Sequence, residues 1–437
     1  MSCGRSLAPV LAGLLACASS VSGADGVLLR ASDKQGFDVF GTGVALRGDV
    51  ALIGAPVAGA GDEGAAYVFR FDGAAWTEEQ TLLAPDGDPG DEFGYSVALG
   101  SEDVAIVGAH LEDGAAGNEG AAYVYRHDGS TWVFEQKLVA GDRAIGDEFG
   151  EAVAMDGDTA IIAGRWDNHS MMFDPGSVYV FGYDVGSSTW LESARLDADD
   201  AAANDELGID VALDGSLVAA GAWRDDDGGS ASGSAYVLNA PQQKYTAFDA
   251  AANDFYGRGL ALLDDVLVIG APGDDDGATD SGSAYVYRDS GSGFAFEQKL
   301  TASDADGQED FGFSIALGND FVVIGANQQD DSGVNAGAAY LYRYVGGTWV
   351  ETNKLQPSAL GGGENFGTDI AVSGNRILIG APLEDVPTNA GAAWVFDFTP
   401  QVPLLPSPAW PLLVLSIGLA ACFAGRRSSA RRTGTAP

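Results

Sequence analysis

Carboxylates at fixed spacing are the residues of this chain best placed to do chemistry. One pair, five positions apart, recurs as Asp33/Asp38, Asp86/Asp91, Asp142/Asp147, Asp200/Asp205, Asp249/Asp254 and Asp304/Glu309. Two denser groups stand out, Asp274, Asp276 and Asp280, then Asp304, Asp306 and Glu309. Clustered carboxylates suit a hard cation such as Ca2+, which takes about six to eight oxygen ligands. Those six residues are the expected metal ligands, although neither group completes a calcium-loop consensus. Carboxylate pairs also serve glycoside hydrolysis, but their even repetition reads as architecture rather than as one tuned site. The three histidines, His110, His127 and His169, have no partner at a recognisable spacing, and no nucleophile-elbow, HExxH or phosphate-loop pattern is present. The expectation is a protein without catalytic residues.

Charge narrows the partners. The chain carries 63 acidic residues against 22 Lys and Arg, a formal net charge of −41. That excess disfavours nucleic acid and anionic lipid surfaces as partners of the loops.

The elements that must position these acids are short strands. From Phe311 to Leu355 a period of two predicts strands at Ser314–Leu317, Phe321–Ala326, Ala338–Arg343 and Thr348–Leu355, joined by tight turns and one acidic, Gly-rich loop. One such sheet cannot bury both faces, and copies follow at intervals of about 50 residues. Phe311-Gly312 recurs as Phe40-Gly41, Phe93-Gly94, Phe149-Gly150, Leu207-Gly208, Tyr256-Gly257 and Phe366-Gly367. Gly325-Ala326 recurs as Gly54-Ala55-Pro56, Gly108-Ala109, Gly221-Ala222, Gly270-Ala271-Pro272 and Gly380-Ala381-Pro382, with Gly164-Arg165 breaking the column. Gly-Ala-Ala-Tyr-Val-Phe at Gly64–Phe69 is echoed in later units. The aromatic is expected to plug the gap between sheets, its Gly to let backbones approach closely, and the Gly of Gly-Ala-Pro to tolerate unusual dihedrals.

The expected fold is therefore all-β: a seven-bladed β-propeller of four-stranded antiparallel blades. The seventh unit stops after its third strand, while Leu29–Asp33 matches the end of a fourth strand, Leu300–Asp304. The N-terminal strand should thus close the last blade and leave no free edge. Blade 4 should have a short fourth strand, with Tyr245 in the column of closing leucines. Loops between blades and loops joining second to third strands share one face and hold more than half of the acids. Arg70, Arg126, Arg288 and Arg343 fall on the other face.

Seven Phe-Gly and Gly-Ala-Pro pairs in register resemble the FG-GAP repeats of integrin α-chain propellers and of bacterial secreted proteins, over roughly residues 27–398. The resemblance implies a ring that presents a loop-built face to protein or glycan partners. In integrins the calcium loops lie between Phe-Gly and Gly-Ala-Pro; here that interval closes with tight turns such as Gly48-Asp49, Gly157-Asp158 and Gly318-Asn319. Arg47-Gly48-Asp49 spells an integrin-ligand tripeptide, but its position makes it an ordinary hairpin turn.

Residues 1–24 read as a secretory signal, with Arg5 before an apolar core and a small-residue exit at Val21–Ala24. Residues 25–398 form the propeller and 399–408 a Pro-rich linker. Residues 409–425 are an uncharged apolar run long enough to span a bilayer, or the apolar part of a C-terminal sorting signal. The basic tail, 426–437, should stay cytoplasmic unless removed. Cys3, Cys17 and Cys422 all lie outside the repeats, so no disulfide staples them. The expectation is an exported, monomeric ring at the cell surface or envelope, anchored through its C-terminal helix. Its partner would be a protein or a glycan, and Trp166 and Trp223 with loop carboxylates would meet sugar hydroxyls. The remaining alternative is an envelope protein with no discrete ligand.

Overall fold

The computed structural model describes residues 21–114, 117–169, 172–384 and 388–398. The proposed leader core and everything beyond Phe398, including linker, apolar run and basic tail, lie outside the described residues. Among the described residues no helix is long and apolar enough to cross a membrane.

Seven four-stranded antiparallel sheets follow one another in chain order. Blade 1 contains Val44–Arg47, Val50–Ala55, Ala65–Phe71 and Trp76–Leu82. Blade 6 contains Phe311–Gly318, Phe321–Ala326, Ala338–Val345 and Thr348–Leu355. Its second and fourth strands match the sequence reading, whereas the first and third run further. In blade 4 the fourth strand is only Gln243–Tyr245, and Tyr245 pairs with Ala235 as Leu82 pairs with Ala66.

Blade 7 contributes Ile370–Ser373, Arg376–Ala381 and Ala392–Phe398, and its outer strand is Val21–Leu29. Val27, Leu28 and Leu29 pair with Val395, Trp394 and Ala393. The first and last described segments thus share one sheet, as the unfinished seventh unit requires.

Side chains from adjacent sheets fill the space between blades. Leu52, Val68 and Leu82 of blade 1 pack with Phe93, Val107, Tyr123 and Trp132 of blade 2. Phe93 is wholly buried, its ring edge-on to Tyr123 at 5.4 Å, and its backbone bridges Gly64 of the preceding blade. The aromatic is the expected plug.

The two glycine columns meet each other. A Cβ on Gly54 would lie 1.8 Å from the carbonyl oxygen of Gly94, and one on Gly270 1.9 Å from that of Gly312. Positive φ belongs to the glycine after the aromatic, +100° at Gly94, and not to Gly54. The Gly-Ala-Pro glycine is therefore required by close approach; the unusual dihedral expected of it is found in the other column. The break at Gly164-Arg165 is also re-registered. Gly164 pairs with Ser177 as Ala55 pairs with Ala65, so Ala163 occupies the glycine column and Arg165 the proline position.

Candidate functional site at the channel mouth

The fold places three repeat columns around one end of the central channel. The first is the residue before the aromatic, left-handed in every blade; Glu92, Glu148, Glu206 and Phe255 have φ of 55°, 52°, 54° and 55°. The second is the proline position, and the third follows the Phe-Gly glycine. On blades 1 and 7 these columns hold Val39, Pro56 and Thr42, and Asn365, Pro382 and Thr368. On blades 2 to 5 they hold Glu92, His110 and Tyr95; Glu148, Arg165 and Glu151; Glu206, Trp223 and Ile209; and Phe255, Pro272 and Arg258. Blades 1 and 7 show that the fold itself does not demand charged or aromatic residues there. A left-handed conformation is sterically costly for a residue with a Cβ, and here it holds these side chains at the rim.

The side chains converge across blades. His110 is 7% exposed, its ring 4.0 Å from that of Tyr95. Its Nε2 lies 3.8 Å from Glu151 Oε2 and 3.9 Å from Glu92 Oε2. Burial, then the nearby Arg165 charge, pushes the imidazole down to about 3, so it is neutral at ordinary pH. Glu148 joins this group, and burial followed by repulsion from Glu151 pushes it up to about 7. Arg165 Nε stands 3.3 Å from Glu151 Oε1, and its Nη1 3.6 Å from Glu206 Oε2. Glu206 accepts hydrogen bonds from Trp223 Nε1 at 2.8 Å and Arg224 Nη1 at 3.1 Å. Trp223 packs 5.2 Å from Phe255, and the Arg258 guanidinium lies 4.0 Å over the Phe313 ring.

Below the rim is a cavity of about 280 Å3, lined by Glu151, Asp210, Arg258, Phe313 and Asp369 among others. Burial pushes Asp369 up to about 7 and Asp210 to about 6. Two buried polar atoms at this mouth have no hydrogen-bond partner among the described residues, His110 Nδ1 and Glu151 Oε2. Unsatisfied buried polar atoms are costly, and these two leave hydrogen-bonding capacity open to a ligand or ordered water.

The acids singled out by spacing behave differently. The first member of five of the six pairs holds a tyrosine of the following blade: Tyr67, Tyr123, Tyr179, Tyr236 and Tyr285 donate to Asp33, Asp86, Asp142, Asp200 and Asp249 at 2.8–3.0 Å. The second member is buried and caps its own loop, as when the Ala251 N–H donates to Asp254 at 2.6 Å. Asp274 and Asp276 meet Asp249 around the ammonium of Lys299, which lies 2.8 Å from both Asp249 and Asp274 and also contacts Asp276. Asp274 is buried and accepts the Tyr285 hydroxyl at 2.6 Å. Burial alone would raise its carboxyl, but Lys299 and Tyr285 outweigh it and hold it below the usual range.

Asp280 is left-handed; its carbonyl accepts the Glu309 N–H at 3.1 Å, which ties the two loops together through backbone. Their carboxylates diverge, because Asp304 turns to Lys354 at 2.8 Å. Asp306 hydrogen-bonds the Gly307 N–H, and Glu309 is buried in its loop. The six residues therefore do not form one centre. Three carboxylates around an ammonium fit a lysine as they stand; calcium would need bidentate carboxylates or added waters to reach about six to eight oxygens, and the space that Lys299 fills. Arg47-Gly48-Asp49 is the first hairpin turn, with Asp49 held by Arg376 Nη1 at 2.6 Å.

Sequence reasoning named Trp223 and His110 but not the set they belong to, and Trp166 falls outside the three columns. Aligning the repeats and asking where they differ, instead of where they agree, would have found it.

Comparison with known families agrees with the geometry. A family model described as FG-GAP repeat matches seven successive segments, 27–69, 76–125, 132–181, 190–238, 240–287, 294–342 and 349–396. Each segment begins in the outer strand of one blade and ends in the third strand of the next, so the sequence repeat is offset from the sheet. A comparison with curated proteins gave no match.

Proposed function

The chain belongs to the FG-GAP repeat family, and on that premise we propose that it is an exported, membrane-anchored cell-surface binding protein. Its partner is a glycan or glycosylated protein, taken at the half of the channel mouth built by blades 2 to 5. Export and anchoring rest on the reading of residues 1–24 and 409–425. The binding reading rests chiefly on one observation. The columns that are Val, Thr and Pro on blade 1 become Glu, His, Arg, Trp and Phe on blades 2 to 5, with buried polar atoms left unpaired. Aromatic faces beside carboxylates and guanidinium groups suit sugar rings, whose C–H faces stack and whose hydroxyls both donate and accept. Calcium enters this proposal only as a competitor of Lys299 for Asp249, Asp274 and Asp276.

The test is a glycan array probed with the full chain, beside a pull-down from intact cell surfaces. Reproducible binding to a glycan class, lost with Trp223→Ala, supports the proposal. Failure of both the array and the pull-down would leave an envelope protein with no discrete ligand.

A further inference from the structure

We propose that His110, Glu148 and Glu151 form a binding site for one divalent transition-metal ion at the channel mouth, with Glu92 placed to supply a fourth ligand. One donor atom from each of the three residues lies within 4.8 Å of the other two. His110 Nε2 is 3.8 Å from Glu151 Oε2 and 3.9 Å from Glu92 Oε2, too far apart for hydrogen bonds. Ligands about 2.1 Å from a tetrahedral ion stand about 3.4 Å from one another. The His110–Glu151 and His110–Glu92 pairs would reach that spacing by a contraction of about half an ångström, and Glu148, within 4.8 Å of the other two, would close the remaining gap by a side-chain rotation.

Two further observations point to a missing partner rather than to a merely acidic patch. Glu151 is 4% exposed, and its Oε2, the oxygen that faces His110, has no hydrogen-bond donor. His110 is also buried and turns its Nε2 toward that same oxygen, beyond hydrogen-bond distance. The Arg165 guanidinium neutralises only the other oxygen of Glu151. The fold does not need this group, since blade 1 has Val39, Thr42 and Pro56 in the corresponding columns. The donor set selects the metal class: an imidazole nitrogen suits Zn2+, while Mn2+, Ca2+ and Mg2+ favour oxygen ligands. The site is thus chemically distinct from the Asp249, Asp274 and Asp276 group, which contains oxygen donors only.

The inference does not depend on the nature of the partner, because occupancy is measured without one. The full chain, stripped with chelator, is titrated with Zn2+, Mn2+, Ca2+ and Mg2+ at matched ionic strength, with bound metal and melting temperature as readouts. The expected result is one equivalent of Zn2+, bound at least tenfold more tightly than Mn2+, Ca2+ or Mg2+, with a rise in melting temperature. Affinity should fall at least tenfold in His110→Ala and in Glu148→Gln, and should be unchanged in the double variant Asp274→Asn, Asp276→Asn. Glu148 is only half-buried, so Glu148→Gln decides the matter if His110→Ala does not fold. No saturable transition-metal binding, equal affinity in Glu148→Gln, or loss confined to the Asp274/Asp276 variant would each overturn the proposal.

Discussion

The carbonyl oxygen of Gly94 occupies the space where a side chain on Gly54 would begin. A Cβ there would be 1.8 Å from it, and at six of the seven junctions the Phe-Gly glycine seats in this way against the Gly-Ala-Pro glycine of the blade before, Gly208 meeting Ala163 instead. The two motifs are halves of one contact between sheets.

Replacing Gly54 with Ala should therefore cost about 2–4 kcal/mol, since a backbone carbonyl cannot step aside as a flexible side chain can. Gly182→Ala is the control, because Gly182 has an ordinary φ and nothing within 4 Å of its Cβ position. Denaturant unfolding of the two variants measures the difference. Equal stability would remove the contact as the reason for the motif.

Closure of the ring predicts a second loss. Deleting 27–32 removes the pairing of Val27, Leu28 and Leu29 with the third strand of blade 7 and uncovers its edge. Stability should fall by several kcal/mol, on the order of one strand's burial. A truncated ring that melts like the whole chain would contradict the closure.

Stability should be greatest in mild acid. Burial, ahead of neighbouring carboxylates, pushes Asp147, Asp205 and Asp254 up to about 6. Between the unfolded value near 4 and about 6 the folded state binds more protons than the unfolded chain, so stability rises as pH falls through that window. Asp86, Asp200 and Asp274 shift the opposite way: burial opposes ionisation, but hydrogen bonds from lysine and tyrosine win. Their contribution is present above the unfolded value and is lost as pH falls below it. Melting temperature should peak between about pH 4 and 6, and Asp254→Asn should flatten the upper slope.

Lys299 should govern calcium sensitivity. In the wild type, Ca2+ and Mg2+ should raise the melting temperature alike through screening of the net charge. Lys299→Ala leaves three carboxylates without their counter-charge and should cost about 2 kcal/mol or more. In that variant Ca2+ should stabilise beyond Mg2+, and adding Asp274→Asn with Asp276→Asn should abolish the difference. A Ca2+-specific shift in the wild type would show that the ion displaces the lysine.

Much of the ring was legible because its requirements are local. Phe93 and Gly54 fill positions that admit few residue types, with Leu207, Tyr256 and Ala163 as the departures, and such positions repeat visibly. The missing fourth strand of blade 7 could be found by counting. The register of Ala163-Gly164 could not, because swapping two small residues leaves composition unchanged and only pairing with Ser177 reveals it. The acidic pairs were visible, but their meaning was hidden in partners elsewhere in the chain: Tyr285 and Lys299 answer Asp249 across an entire strand pair. The mouth was hardest to read. His110, Glu151 and Glu206 come from three blades, and each looks like an isolated departure from the repeat until the ring brings them together.

The claim that one half of the mouth binds the partner is tested most directly by a paired substitution at equivalent positions. Trp223 and Pro56 occupy the same column on blades 4 and 1. With a glycan identified on the array, affinity of the full chain should fall at least tenfold in Trp223→Ala and stay unchanged in Pro56→Ala, with both variants folded by melting. Equal affinity in the two variants, or a loss confined to Pro56→Ala, would contradict the assignment.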